Sequence, residues 1–242
     1  MLWKNFQKGK EILDLNNFYK RIITTIFGLT LIAISFIYLP VINFLIFGNN
    51  YHFHPLIIIL AIVFILEILF QLIKNKHSRH KLLFIYLFIY LVLFLHVIFL
   101  ENMFENWKNI FFYLLTQVFI IDIFGYLVGK IFGKTKLKFI HEISPNKTIE
   151  GYIGSVIAGI LWGVIILFVF NDFIETDFYI KILLVLSIVF TSILGDLFVS
   201  KVKRVISVKD FSNILYGHGG ISDRLDSVLP SFAISFWIFF LL

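Results

Sequence analysis

Long apolar runs alternate with short polar ones along the chain. A transmembrane helix needs about 20 mostly apolar residues, and seven runs meet or approach that length. They are 22–39, closed by Pro40, then 56–73, 82–100, 110–129, 152–170, 178–199 and 227–242. The pattern predicts an all-α polytopic bundle of about seven membrane helices. The last run, 16 residues, gives ~24 Å of helix against a ~30 Å hydrocarbon core. It therefore starts earlier in the chain or sits in a thinned region. The apolar stretch 41–47 is too short to span. It either extends the first helix past Pro40 or lies at the interface.

Composition narrows the class. The 242 residues are 60% hydrophobic and 15% charged, with a mean hydropathy of +0.94. Soluble domains are about 45–50% apolar and about 25% charged, so a disordered chain and a soluble domain are both excluded. Cysteine is absent, which removes disulfides, thiolate metal ligands and a thiol nucleophile.

The net charge of +6 raises the question of nucleic acid. Yet of the 21 Lys and Arg residues, all but Lys108 and Lys181 lie in the N-terminal segment or in the connections after the second, fourth and sixth runs. Cytoplasmic loops carry such an excess, so the N-terminus is expected inside, the charge is explained by topology and no nucleic-acid partner is expected. Residues 1–21 mix Trp3, Phe6, Leu13 and Phe18 with Lys and Asn, the pattern of a cytoplasmic interfacial segment. No cleavable signal peptide is read there. Residues 22–117 then form the N-terminal membrane helices, and 118–242 the region that carries the chemistry.

Polar residues concentrate in two of the basic connections, 130–151 and 195–226. Three carboxylates, Glu67, Asp122 and Asp196, fall inside predicted spans, where a charge costs at least ~2.5–3.5 kcal/mol and so is functional or paired. Asp196, Ser200 and Lys203 share one helix face, as do Asp122, Tyr126 and Gly129. Asp223 and Asp226 point together if a helix begins there. Asp196 with the Asp223/Asp226 pair supplies hard oxygens suited to Mg²⁺, which is normally shared with substrate phosphates. The 217–220 turn offers backbone N–H groups to phosphate oxygens, and the surrounding Lys and Arg supply counter-charge. A metal-and-polyphosphate site at the inner surface is expected.

At these residues the sequence resembles the phosphatidate cytidylyltransferases (CDP-diacylglycerol synthases). One block reads Ser200, Lys203-Arg204, Lys209-Asp210, His218-Gly219-Gly220, Asp223-Arg224 and Asp226. A second reads Asp122, Tyr126, Gly129, Phe132-Gly133-Lys134, Lys136-Leu137, Ser144-Pro145, Lys147-Thr148 and Glu150-Gly151, and Gly195-Asp196-Leu197 is also family-like. The resemblance covers residues 118–240. Val199, Tyr216, Phe124 and Ser155 depart from the family pattern, and Val199 removes one acid near the metal.

The resemblance implies transfer of CMP from CTP to phosphatidic acid, giving CDP-diacylglycerol and pyrophosphate in phospholipid biosynthesis. It implies Mg²⁺ at Asp196 and Asp223, with Asp226 and Asp122 as further candidates, and a second, monovalent ion. Lys147, Lys203, Arg204, Lys209 and Arg224 would hold the CTP and lipid phosphates. His218, Gly219, Gly220 and Ser200 would shape the nucleotide site. It implies an integral protein of a bacterial inner membrane with its site facing the cytoplasm, in contact with membrane lipids, and it allows a homodimer. Two alternatives remain at this point: a CTP-dependent lipid kinase or a cytidylyltransferase for another lipid phosphate, sharing the Mg-nucleotide site, and an ion-coupled transporter using Glu67, Asp122 and Asp196. The absence of a visible repeat and the one-sided polar residues weigh against the transporter.

Overall fold

The computed structural model describes residues 28, 30–32, 34–46, 49–75, 79–136, 142–145, 147–169, 177–215 and 219–241. The interfacial segment expected over 1–21, the start of the first span, Tyr216 and His218 lie outside the described residues. A hairpin of β1 (Ile42–Ile46) and β2 (Asn49–Phe53) precedes the helices α1 (Pro55–Lys74), α2 (His80–Met103), α3 (Trp107–Phe132), α4 (Ile149–Val169), α5 (Phe178–Val205) and α6 (Leu225–Phe240). Among the described residues, α1 to α5 are long and apolar enough to cross a membrane, and α6 is apolar but shorter, with 16 residues.

Residues 34–38 are helical and the helix stops before Pro40, because proline disfavours helical backbone in the residue ahead of it. The stretch 41–47 does not extend that helix. Its residues 42–46 form β1, antiparallel to β2 in a register running from Ile42↔Phe53 to Ile46↔Asn49. The Asn102 amide mimics a further strand: its oxygen accepts the His52 N–H at 2.6 Å and its nitrogen donates to the His52 carbonyl at 2.8 Å. α1 then starts at Pro55, where proline's missing N–H costs nothing. His54 caps it through Nδ1, which accepts from the Leu56 N–H at 3.3 Å.

The bundle is apolar outside and partly polar inside. Phe70, Ile73, Phe88, Phe190 and Phe198 are exposed, whereas Gln117, Ser192, Ser231 and Ser235 are buried. Lipid tails are as apolar as leucine, so helices associate through close packing and internal hydrogen bonds. α3 and α4 show this directly. Gly151, Ser155, Gly159 and Gly163 repeat every four residues on α4. A Cβ on Gly151 would meet the Gly125 carbonyl at 2.8 Å and the Gly129 Cα at 3.2 Å. One on Gly159 would meet Ile121, and one on Gly163 would meet Gln117, both at 2.6 Å. Small residues on both helices bring the backbones together, and the Ser155 hydroxyl donates to the Ile121 carbonyl at 2.9 Å.

α5 packs on α6 at Gly195, where a side chain would collide with the Asp226 carbonyl and with Pro230. Pro230 lies inside α6 and has no N–H for that carbonyl, four residues earlier. The Tyr90 hydroxyl of α2 donates to it instead, at 3.2 Å. An interior carbonyl freed by proline is thus paired again, as a low-dielectric interior requires.

Gly151→Val forces α3 and α4 apart against backbone atoms that cannot yield. Overpacking of this kind costs about 1–3 kcal/mol, and the expected result is a lower melting temperature of the purified protein in nanodiscs. Ile165→Leu, on the exposed side of α4, leaves it unchanged.

Candidate active site

The α1–α2, α3–α4 and α5–α6 connections meet at one end of the bundle, and this is the end that carries the basic residues. Two ion pairs organise it. Lys147, in the α3–α4 connection, pairs with Asp196 of α5, and both side chains are part-exposed. Lys203 of α5 pairs with Asp223 at 2.8 Å, and that carboxylate is only 2% exposed. Its other oxygen accepts the N–H groups of Phe211 and Gly220, each at 2.9 Å. A carboxylate has about four acceptor sites, so three of those of Asp223 serve the loop around it.

Asp122 projects from α3 and is exposed despite its place in an apolar helix. Asp226, in the first turn of α6, is buried, and its carboxylate accepts the Ser227 N–H at 2.8 Å. The Ser227 hydroxyl lies 3.5 Å from Asp122. Lys147 is within electrostatic reach of Asp122 and Asp226, and Arg224 of the same two. Burial pushes the Lys147 ammonium below the usual lysine range, while Asp122 and Asp226 pull it back up. The crevice thus gathers Asp122, Asp196 and Asp226 around Lys147 and Arg224. Ser200 touches Asp196 at 3.5 Å.

An apolar groove adjoins the crevice. A cavity of about 420 Å³ opens between α4 and α5, lined by Tyr152, Ile153, Val156, Ile157, Ile193 and Leu197. Lys147 sits at its head, with its ammonium 5.6 Å from the Tyr152 ring centre, and Asp196 is the chain neighbour of Leu197.

The donor set fits Mg²⁺ shared with a nucleotide. Hard carboxylate oxygens suit that ion, which usually takes one or two carboxylates together with substrate phosphates. Among the described residues no three potential ligands converge into a ready-made cage. Asp122, Asp196, Asp223 and Asp226 share one end of the bundle, with Asp223 committed to Lys203 and to two amides.

Several motif residues prove to hold backbone. Thr148 caps α4 by accepting the Gly151 N–H at 3.2 Å. Glu150 accepts the Thr135 N–H at 3.0 and 3.2 Å, and the Arg204 side chain donates to the Ile143 carbonyl at 2.8 Å. Lys209 and Arg224 are exposed. Gly219 has φ +84, a left-handed conformation open to glycine. The Gly220 N–H donates inward to Asp223. Sequence reasoning singled out Glu67 without a partner. The structure gives it three: the Ser212 hydroxyl at 2.6 Å and the N–H groups of Ile221 and Ser222, each at 2.8 Å. Gln71 and Arg79, which join it in holding the same loop, carried no sequence signal beyond being polar.

The cytidylyltransferase family profile matches residues 5–242. A phosphatidate cytidylyltransferase of Rickettsia bellii is 30% identical over 241 residues, covering 96% of each chain. One from Bacillus subtilis is 37% identical over 172 residues, 70% of this chain and 62% of the relative. One from Mycobacterium bovis is 40% identical over 134 residues, 55% of this chain and 42% of the relative. The chain thus spans less than half the length of the mycobacterial relative, and nearly all of the rickettsial one. With the profile running across almost its whole length and a near full-length relative beside it, the chain belongs to the cytidylyltransferase family.

Proposed function

We propose that this protein transfers CMP from CTP to phosphatidic acid, giving CDP-diacylglycerol and pyrophosphate. One observation carries the reading: the Lys147–Asp196 pair stands beside an apolar groove between α4 and α5, at the end of the bundle where Asp122, Asp226 and Arg224 gather. A lipid phosphate with its tail in the groove and its headgroup at Lys147 would meet a nucleotide entering from the basic end. Membership of the family and the names of its relatives supply the substrate classes.

In the reaction, a phosphate oxygen of the lipid bonds to the α-phosphorus of CTP. The bond between that phosphorus and its bridging oxygen breaks, and pyrophosphate leaves with the electron pair. The nucleophile is already anionic, so no protein nucleophile is needed, and catalysis is positioning and neutralisation of charge. Lys147 holds the lipid phosphate. Arg224, Lys209 and the part of Arg204 not engaged by Ile143 face the nucleotide phosphates. Asp196, with Asp226 or Asp122 and the substrate phosphates, would hold Mg²⁺, which would neutralise phosphate charge and orient the triphosphate. Lys203 and Asp223 fix the loop between α5 and α6. In this reading the basic end faces the cytoplasm of a bacterial cell, the source of CTP, with the N-terminus inside and seven spans in the inner membrane.

Purified protein given CTP and phosphatidate in mixed micelles is expected to release CDP-diacylglycerol and pyrophosphate in equal amounts. CDP together with a phosphorylated lipid alcohol would instead assign a lipid kinase. Chelation by EDTA is expected to stop turnover, and excess Mg²⁺ to restore it. Lys147→Ala is expected to lower kcat by about 10²–10³-fold, the scale for removing one group that stabilises developing charge.

A further inference from the structure

The α5–α6 loop holds Asp223 and Arg224 and leads into Asp226, yet among its described residues it has no helix or strand beyond one isolated bridge, Leu215↔Gly219. A long loop without secondary structure pays its ordering entropy residue by residue, so specific contacts must fix it. Most of those contacts come from the α1–α2 region. The Gln71 amide donates to the Phe211 carbonyl at 2.5 Å, and Arg79 donates to the Ile206 carbonyl at 2.7 Å and to the Ser207 hydroxyl at 3.1 Å. Ser207 has φ +60 and ends α5 in a tight turn, in which the Val208 N–H reaches the Lys203 carbonyl and the Ser207 N–H reaches that of Arg204. Asn75 links the two anchors, donating to the Gln71 oxygen at 3.0 Å and accepting from Arg79 at 3.5 Å. Phe211 stacks on Tyr86 of α2, with ring centres 5.2 Å apart and planes 8° apart.

Glu67 is the innermost of these anchors. The residue is 3% exposed, and its hydrogen-bonding partners among the described residues are two N–H groups and a hydroxyl rather than a cation. Three successive amides, those of Gly220, Ile221 and Ser222, are thus taken by two carboxylates, Asp223 on one side and Glu67 on the other. Consecutive backbone N–H groups of this kind form an anion-binding concavity. Here a carboxylate from another helix occupies it. A Cβ at Gly220 would lie 2.7 and 2.8 Å from the two Glu67 oxygens, so the glycine admits Glu67 to the turn.

We propose that Glu67, supported by Gln71 and Arg79, is a positioning residue of the transfer reaction. By gripping the Ile221 and Ser222 amides it sets the orientation in which Asp223, Arg224 and Asp226 meet the nucleotide. The role in catalysis rests on the reaction proposed above; the grip on the loop does not. Glu67→Gln keeps the shape but turns one acceptor into an N–H group that opposes the amide donors. Ser212→Ala removes one donor and leaves both amide bonds.

The test uses the full chain in nanodiscs, with hydrogen exchange by mass spectrometry and steady-state kinetics on CTP and phosphatidate. In Glu67→Gln, amide exchange over 220–222 is expected to speed up by about 10–100-fold, the scale for losing hydrogen bonds to a charged acceptor. The helices α3 and α4 should keep wild-type protection. The kcat should fall by about 10–100-fold, as when a group that orients a ligating residue is lost, with a much smaller change in the KM for CTP. Ser212→Ala should shift both readouts in the same direction and less far. Unchanged exchange at 220–222, wild-type kcat despite faster exchange there, or equal acceleration throughout the helices would each overturn the proposal. If the wild-type protein makes no CDP-diacylglycerol, the reaction reading falls, and exchange at 220–222 alone decides whether Glu67 holds the loop.

Discussion

A carboxylate inside an apolar bundle must find donors, because water is not there to supply them. This constraint shapes most of what is irregular in the chain. Glu67 draws residues 212, 221 and 222 onto α1, and Asp223 draws Lys203, Phe211 and Gly220 into the same knot. At the opposite end Glu101 takes the His54 N–H at 3.0 Å and ties the hairpin to α2. Leaving such a group unpaired costs about 1–3 kcal/mol, more when it is charged. Few arrangements of the loops can satisfy all of these acids together, and so a small number of acids fixes where the loops lie.

The helices supply the frame by a different route. With lipid outside there is little hydrophobic gain in bringing one helix to another, so contact depends on shape. α3 and α4 cross through small residues, and α5 and α6 meet at Gly195 beside Pro230. Close crossings bring Asp122 of α3, Lys147 ahead of α4, Asp196 of α5 and Asp226 of α6 to one crevice. The apolar groove between α4 and α5 is the space left beside that crossing. A charged crevice and a greasy groove side by side suit a substrate that is itself half phosphate and half hydrocarbon.

The sequence made the spans readable because an apolar run of bilayer length has few other uses. The hairpin was hidden, since the seven residues after Pro40, six of them apolar, show no period that separates strand from helix. The cluster of Asp, Lys and Arg was legible in its membership, through spacing and the family-like blocks, while its internal pairing was not. Nothing local to Lys147 indicates Asp196, and nothing local to Asp223 indicates that Lys203 and two amides already claim it. At the Gly219–Gly220 turn the structure adds partners that the sequence does not indicate. Glycines and free amides suggest a phosphate, and the acceptors of the described amides turn out to be side chains from within the protein. Thr148 and Glu150 stand in a family-like block yet serve to cap α4 and hold Thr135, work that a motif cannot distinguish from catalysis.

The contact between Gly220 and Glu67 has an evolutionary corollary. Gly220 does not adopt the left-handed backbone that its neighbour Gly219 does, so its own conformation would accept alanine. What a methyl group there would meet is the Glu67 carboxylate, from a helix far away in the chain, and the Ser212 hydroxyl bound to it. The positions are therefore coupled: a larger residue at 220 meets the Glu67 carboxylate and the Ser212 hydroxyl that it holds, and shortening residue 67 leaves two amides without acceptors. Among descendants of this chain the pair is expected to change together or to stay as it is, with the glycine recording a constraint that belongs to α1.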